Sequence, residues 1–409
     1  MPISRLLTAA ILTLLGPHMA FADPCGMVPP VQLTPGAPQL TRVGDQITYV
    51  FFQDGIEDIV LRPGFKGSVT NFGMLIPFPA VPSLRKVSDD IFSHIKKAID
   101  PPVIQIALEV AEEESDKSED MSDELRFGTV KVLKEEAVGM YQIAVLEASN
   151  PKALEHWMTT HGYIYPTGMD RPCMDYIKAG WCFVAVKANI GSQAAVKPRP
   201  GMRKADPKLP ADAGFEGAVQ AMGFRFRIKR PVVPMRLSAF NEGKLFNRVY
   251  YLSDQPVRIE QLPREFVKRQ IPGEQLLKNM TQPLKVKVIG GTLKDAERWG
   301  MLKQPQYSRD PARHNGHALD VISADLLAVA NNRLTHPFEE REKELLRIGE
   351  RLGLRGQEVD DRIGEVITTE RKKAAADTLK KLKKMTLTVI EGDFPKEVIA
   401  EKNLTFAND

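Results

Sequence analysis

Gln46-Ile47-Thr48-Tyr49-Val50-Phe51-Phe52, followed after Gln53 by Asp54-Gly55 and then by Glu57-Asp58-Ile59-Val60-Leu61, is the stretch that decides the fold. Its first half is β-branched and aromatic, the composition of strands. Asp-Gly is a two-residue hairpin turn, so Glu57 to Leu61 is expected to pair back on Gln46 to Phe52. Outward from this hairpin the same signature recurs. Gly67 to Phe78 reads as a strand closed by Pro79 and Pro82, and Gly128 to Leu133, Tyr141 to Leu146, Cys182 to Lys187, Phe224 to Lys229 and Arg248 to Tyr251 read as further strands.

Helices are placed by their caps. Ser88-Asp89-Asp90 opens one running to Ile99, with Ile91, His94, Ile95 and Ile99 near one face. Asn150-Pro151 opens another over Lys152 to Thr160, with Asn as cap and Pro at the first helical position. Beyond Gln261 come a strand over Leu284 to Ile289 and a helix around Lys294 to Met301. The chain then turns helical over Ala318 to Asn331, Glu339 to Leu352 and Glu358 to Lys384, with a late strand at Leu387 to Ile390. The expectation is an α+β fold: a mainly antiparallel sheet domain with flanking helices over 23–260, then a helix-rich region over 261–409.

Residues 1–22 carry the three parts of a secretory signal: Arg5, the apolar run Leu6 to Leu15, and Ala20-Phe21-Ala22, which places a cleavage between Ala22 and Asp23. The run falls far short of the roughly 20 residues that span a bilayer. No other window of the chain is long and apolar enough, so the mature chain has no expected transmembrane segment. Asp23-Pro24 before Cys25 excludes a lipidated cysteine. The location expected is therefore periplasmic or extracellular, at the cell surface. In an oxidising compartment three cysteines leave an odd count, and Cys173 with Cys182 is the expected disulfide, with Cys25 as the odd thiol.

A formal net charge of +4 argues against a nucleic-acid binder. The charge is unevenly spread, however. Glu112 to Glu124 holds eight acidic residues and one lysine. As an EF-hand begun at Asp116 it fails, because Met121 stands where glycine is required and Phe127 where the bidentate Glu belongs. It reads as a self-repelling loop, and residues 191–214, rich in Pro, Gly, Lys and Arg, as a second loop. Arg371 to Lys384 has seven basic residues against Asp377. This 371–384 helix is a candidate for weak contact with an anionic surface, set against the plainer reading of a solvated face.

Four collinear segments resemble the domain of unknown function 2330 family over about residues 24–255. They are Pro24-Cys25-Gly26 with the hairpin and Gly73 to Pro82; Tyr141 to Ala148 with Leu154 to Tyr163; Phe183 to Lys187; and Pro231 to Leu237. The resemblance implies a secreted or surface bacterial α+β module and carries over no catalytic residue. The acidic loop, the loop at 191–214 and the helical C-terminal region depart from its pattern.

No catalytic constellation emerges from the residues. There is no G-x-S-x-G elbow, phosphate-binding loop or dinucleotide turn. His314 and His317, with Asp310 and Asp320 nearby, have the residue types of a metal site, but no third firm ligand accompanies them and Asn315-Gly316 reads as a turn. His156 and His161 do not share a helical face. The sequence therefore favours a non-catalytic binding or scaffolding protein without a cofactor, acting on a protein or cell-envelope partner. The alternatives are a secreted hydrolase with an unrecognised site and a metal-dependent protein using His314 and His317.

Overall fold

The Asp54-Gly55 turn forms as read. Both residues take positive φ, 49° and 76°, the pairing a type I′ turn demands, and Gln46–Gln53 and Ile56–Arg62 run antiparallel on either side. The computed structural model describes residues 41–42, 46–62, 64–67, 71–108, 132–138, 141–189, 215–218, 221–241, 246–335, 337–353 and 357–409. The signal peptide with its Ala22–Asp23 cleavage, Cys25, the acidic loop and the 191–214 loop lie outside the described residues.

The hairpin sits inside a seven-stranded central sheet. Its order is Val267–Pro272, Thr386–Gly392, Asn247–Ser253, Gln46–Gln53, Ile56–Arg62, Met222–Arg227 and Ser83–Lys86. Every pairing is antiparallel except that of Asn247–Ser253 with Gln46–Gln53. A second sheet has the order Asn71–Phe78, Cys182–Asn189, Tyr141–Leu146 and Val132–Val138.

Strand alternation sorts the side chains into layers. Val50, Ile59, Leu61, Phe224 and Tyr251 leave one face of the central sheet and meet Met74, Ile76, Val145, Cys182 and Val184 of the second sheet. From the opposite face, Tyr49, Phe51, Val60 and Leu252 pack against the helices Ile91–Ile99, Gly273–Thr281 and Pro311–Ala330. The far side of the second sheet, with Leu75, Phe183 and Ala185, is covered by Pro151–Thr160 and Asp170–Lys178. The result is an α/β/β/α stack, α+β and dominated by antiparallel pairing, with a helix-rich C-terminal region.

Several expectations are corrected in detail. The boundary near residue 260 is crossed by the central sheet: Thr386–Gly392 inserts between Asn247–Ser253 and Val267–Pro272, because its apolar Leu387, Val389 and Ile390 are buried on both faces. Residues 314–317, read as a turn, lie within Pro311–Ala330. Asp310 caps that helix by accepting from the Ala312 N–H at 2.9 Å, and Pro311 opens it. The basic C-terminal segment is not one helix, since Gln357–Thr378 ends before Leu379–Lys384, a 3₁₀ turn that buries Leu382. Asn150 does cap its helix as read, accepting from the Ala153 N–H at 2.9 Å.

Candidate functional site

Arg225 is fully enclosed, as are Asp58 and Asp325. Asp58 stands on the hairpin's second strand, directly across the ladder from Arg225, and Asp325 comes down from the Pro311–Ala330 helix. The Arg225 guanidinium donates to Asp325 Oδ1 at 2.5 Å and to the Leu334 carbonyl at 3.0 Å, and lies 3.7 Å from Asp58. Arg85, from the last strand of the sheet, donates to Asp58 and, at 3.2 Å, to Asp325. Tyr49 donates its hydroxyl to Asp325 at 3.1 Å, and its pKa is pushed well up by burial and by that carboxylate. Two cations and two anions thus neutralise one another beneath the helix, the arrangement buried charges require.

Glycine makes the arrangement fit. A Cβ at Gly223 would stand 2.7 Å from Arg85 Nε and 2.8 Å from its Cγ, so the Arg85 side chain crosses the neighbouring strand only because residue 223 has none.

Above this network lies a cleft of about 230 Å³. One wall is the continuous stretch Ser83 to Ser88. The other is the Pro311–Ala330 helix, through His317, Asp320, Val321 and Ala324. Arg225 forms part of the floor. The guanidiniums there are committed to Asp58 and Asp325, so the cleft combines polar walls with a self-neutral base.

His317 belongs to the cleft wall, and the rings of His314, His317 and His94 are engaged by neighbouring groups. His314 Nε2 bonds to the Ser308 carbonyl at 2.9 Å. The His317 ring stacks on His94, with centroids 5.1 Å apart, and the backbone N–H of His317 donates to His94 Nδ1 at 3.2 Å. Burial, His317 and Lys97 lower the His94 pKa to about 4. His314 and His317 are therefore turned to different partners, and among the described residues no group of three His, Cys, Asp or Glu side chains is placed to hold a metal ion. His161 stacks on Trp157 and bonds to its carbonyl at 2.6 Å, a helix-end contact.

Cys173 and Cys182 are not joined: both are free and buried. Alternation explains the separation. Cys182 points with Val184 and Val186 into the space between the sheets, while Cys173 lies with Phe183 and Ala185 on the far side of the same sheet. Burial pushes both thiols up, to about 12 for Cys173 and about 11 for Cys182, which leaves them protonated and unreactive at neutral pH.

In the basic C-terminal segment, Lys373, Lys380, Lys381, Lys383 and Lys384 are exposed, with Lys380 held to Asp377 at 2.9 Å. Among the described residues no helix is long and apolar enough to cross a membrane.

A family model described as an uncharacterised protein conserved in bacteria (DUF2330) matches residues 20–271, well over half of the chain. The matched part supplies Asp58, Arg85, Arg225 and the strand wall of the cleft; the helix wall, with Asp325, follows it. No curated protein and no solved structure matches the chain.

Proposed function

Since the chain belongs to the DUF2330 family of uncharacterised bacterial proteins, we propose that it is an exported, non-catalytic binding protein of the bacterial envelope, and that it receives its partner in the cleft between Ser83–Ser88 and the Pro311–Ala330 helix. The observation that carries this reading is the committed state of the cleft floor. Arg85 and Arg225 are tied to Asp58 and Asp325, so the walls offer a shaped, polar surface while the ionic groups below hold it rigid. Preorganisation of this kind favours recognition.

Export is supported by Arg5, the Leu6 to Leu15 run and Ala20-Phe21-Ala22. Intact-mass measurement on protein from the native host is expected to give a chain beginning at Asp23; a cytoplasmic chain beginning at Met1 would overturn it. For the cleft, the test is Asp320→Trp, which fills the mouth from the partly exposed helix wall. The partner that co-purifies from the envelope with the natural protein is expected to be lost with the variant at unchanged melting temperature. Retention of that partner by a folded variant places binding elsewhere.

A further inference from the structure

We propose that the cleft takes its partner as an extended polypeptide segment, added as an eighth strand to the Ser83–Lys86 edge of the central sheet; this rests on the cleft being the binding site.

Ser83–Lys86 ends the sheet, with Met222–Arg227 on its inner side only. The Val87 N–H donates to the Ala221 carbonyl at 3.1 Å, which sets the phase of the ladder. In an antiparallel pair, main-chain groups face the neighbour at every second residue. Residues 83, 85 and 87 therefore turn theirs inward, and Leu84 and Lys86 turn theirs out. Among the described residues no strand is hydrogen-bonded to this outer side, although Val132–Val138 of the second sheet comes close to the edge. Donors and acceptors repeating every two residues, about 6.6 Å apart, match an extended chain and no compact small molecule.

The cleft lies along this edge for its whole length, since all six residues from Ser83 to Ser88 line it. A strand added here would send alternate side chains between the edge and the helix, against Val321 and Ala324, where small apolar groups fit. Its other side chains would lie on the opposite face, where Lys86 is exposed. Opposite charges across a strand pair are favourable, so the segment that fits alternates small apolar residues with acidic ones.

A second copy of the chain fits poorly. Antiparallel self-pairing centred on the edge sets Arg85 against Arg85 in one register and Lys86 against Lys86 in the next. In the third it sets Lys86 against Pro82, which has no N–H to give.

The experiment uses fluorescein-labelled Val-Glu-Val-Glu-Val-Glu and its Val-Lys-Val-Lys-Val-Lys counterpart, titrated into the mature chain with anisotropy as readout. The acidic peptide is expected to bind and the basic one to bind at least about tenfold more weakly. Lys86→Gln should weaken the acidic peptide by a few-fold. Lys86→Pro should weaken it by more than about tenfold, because it deletes the outward N–H while proline is tolerated on an edge strand whose N–H faces away. Hydrogen exchange at the Leu84 and Lys86 amides of the natural protein should slow when the acidic peptide is present, a readout that stands even if Lys86→Pro fails to fold. Equal binding by Lys86→Pro, or no slowing at those amides, overturns strand addition. If Asp320→Trp loses its co-purifying partner while neither peptide binds, the cleft stands and the extended-segment partner falls.

Discussion

Glu57 and Asp58 are neighbours on one strand, yet they occupy opposite kinds of interior. Glu57 points with Ile59 and Leu61 into the apolar layer between the two sheets, where it is fully buried and its carboxyl meets the Val232 N–H at 3.1 and 3.2 Å. Burial drives its pKa well above the ordinary carboxyl value, only partly opposed by that hydrogen bond. Asp58 points the other way, beneath the helix layer, where Arg85 and Arg225 reach it. One step along a strand separates a carboxyl whose surroundings disfavour its charge from one enclosed by guanidiniums. The layer between the sheets is thus hydrophobic around the Glu57 carboxyl, whose charge it disfavours, whereas the layer under the helices is hydrophobic around an ionic centre.

The largest expected effect comes from breaking that ionic centre. Asp58→Ala leaves Arg85 and Arg225 short of a counter-charge in a sealed site, and one-sided loss of a buried pair costs about 3–5 kcal/mol. Denaturant titration should show it, together with loss of the cleft; a change within 1 kcal/mol, to order of magnitude, would mean that the network adds little.

Glu57→Gln is expected to act in the opposite direction. A raised folded-state pKa means that the protonated carboxyl is the form the fold prefers. Its contribution is full below the ordinary carboxyl pKa of about 4.3 and is lost as pH rises through the folded value. Glutamine keeps an acceptor for Val232 and never ionises, so the variant should gain on the natural protein as pH rises. Parallel stability curves for the two proteins would show that Glu57 does not titrate.

A smaller effect belongs to His94 on the helix side. Its pKa is lowered to about 4, so the neutral ring is the form the fold prefers. That contribution is full above about 6.5, the ordinary histidine value, and falls as pH drops towards 4. Lys97, His314 and His317 face the ring as like charges and Asp90 as the opposing one. His94→Gln should flatten the acid limb of the unfolding curve, and an unchanged limb assigns it to other groups.

The smallest effect is expected far from either layer. Replacing Lys373, Lys380, Lys381, Lys383 and Lys384 by Gln should reduce sedimentation with anionic vesicles at low salt and make no difference at high salt, as screening over about 8 Å at physiological ionic strength requires. Equal sedimentation at every salt concentration assigns the segment to a solvated face.

Much of the stack is legible in the sequence because its signals are local. Asp54-Gly55 sets the hairpin, Asn150-Pro151 starts a helix, and the β-branched runs around Val145, Val184 and Val249 become strands at nearly the expected limits. Asp310-Pro311 has the same helix-start chemistry as Asn150-Pro151, and within a helix anchored by Ala318, Val321 and Ile322 in the core Asn315-Gly316 continues the helix instead of turning the chain. The ionic centre gave no local sign. Arg85 and Asp325 are 240 positions apart, and Arg225 and Asp325 are 100 apart, and nothing in a single strand says which charges will face inward together. The cysteine pairing failed for a related reason: closeness along the chain does not report which side of a sheet each thiol leaves.

The position of Thr386–Gly392 has a consequence for the order of events in making the protein. This strand is interior to the central sheet, so Asn247–Ser253 and Val267–Pro272 cannot be joined until it has left the ribosome. During most of synthesis the hairpin and its neighbours are held by an incomplete sheet, and long-range closure of this kind is slow. A central sheet that closes only when residues 386–392 arrive therefore keeps two strand edges open for most of synthesis, and an open edge is a template for pairing with the wrong strand.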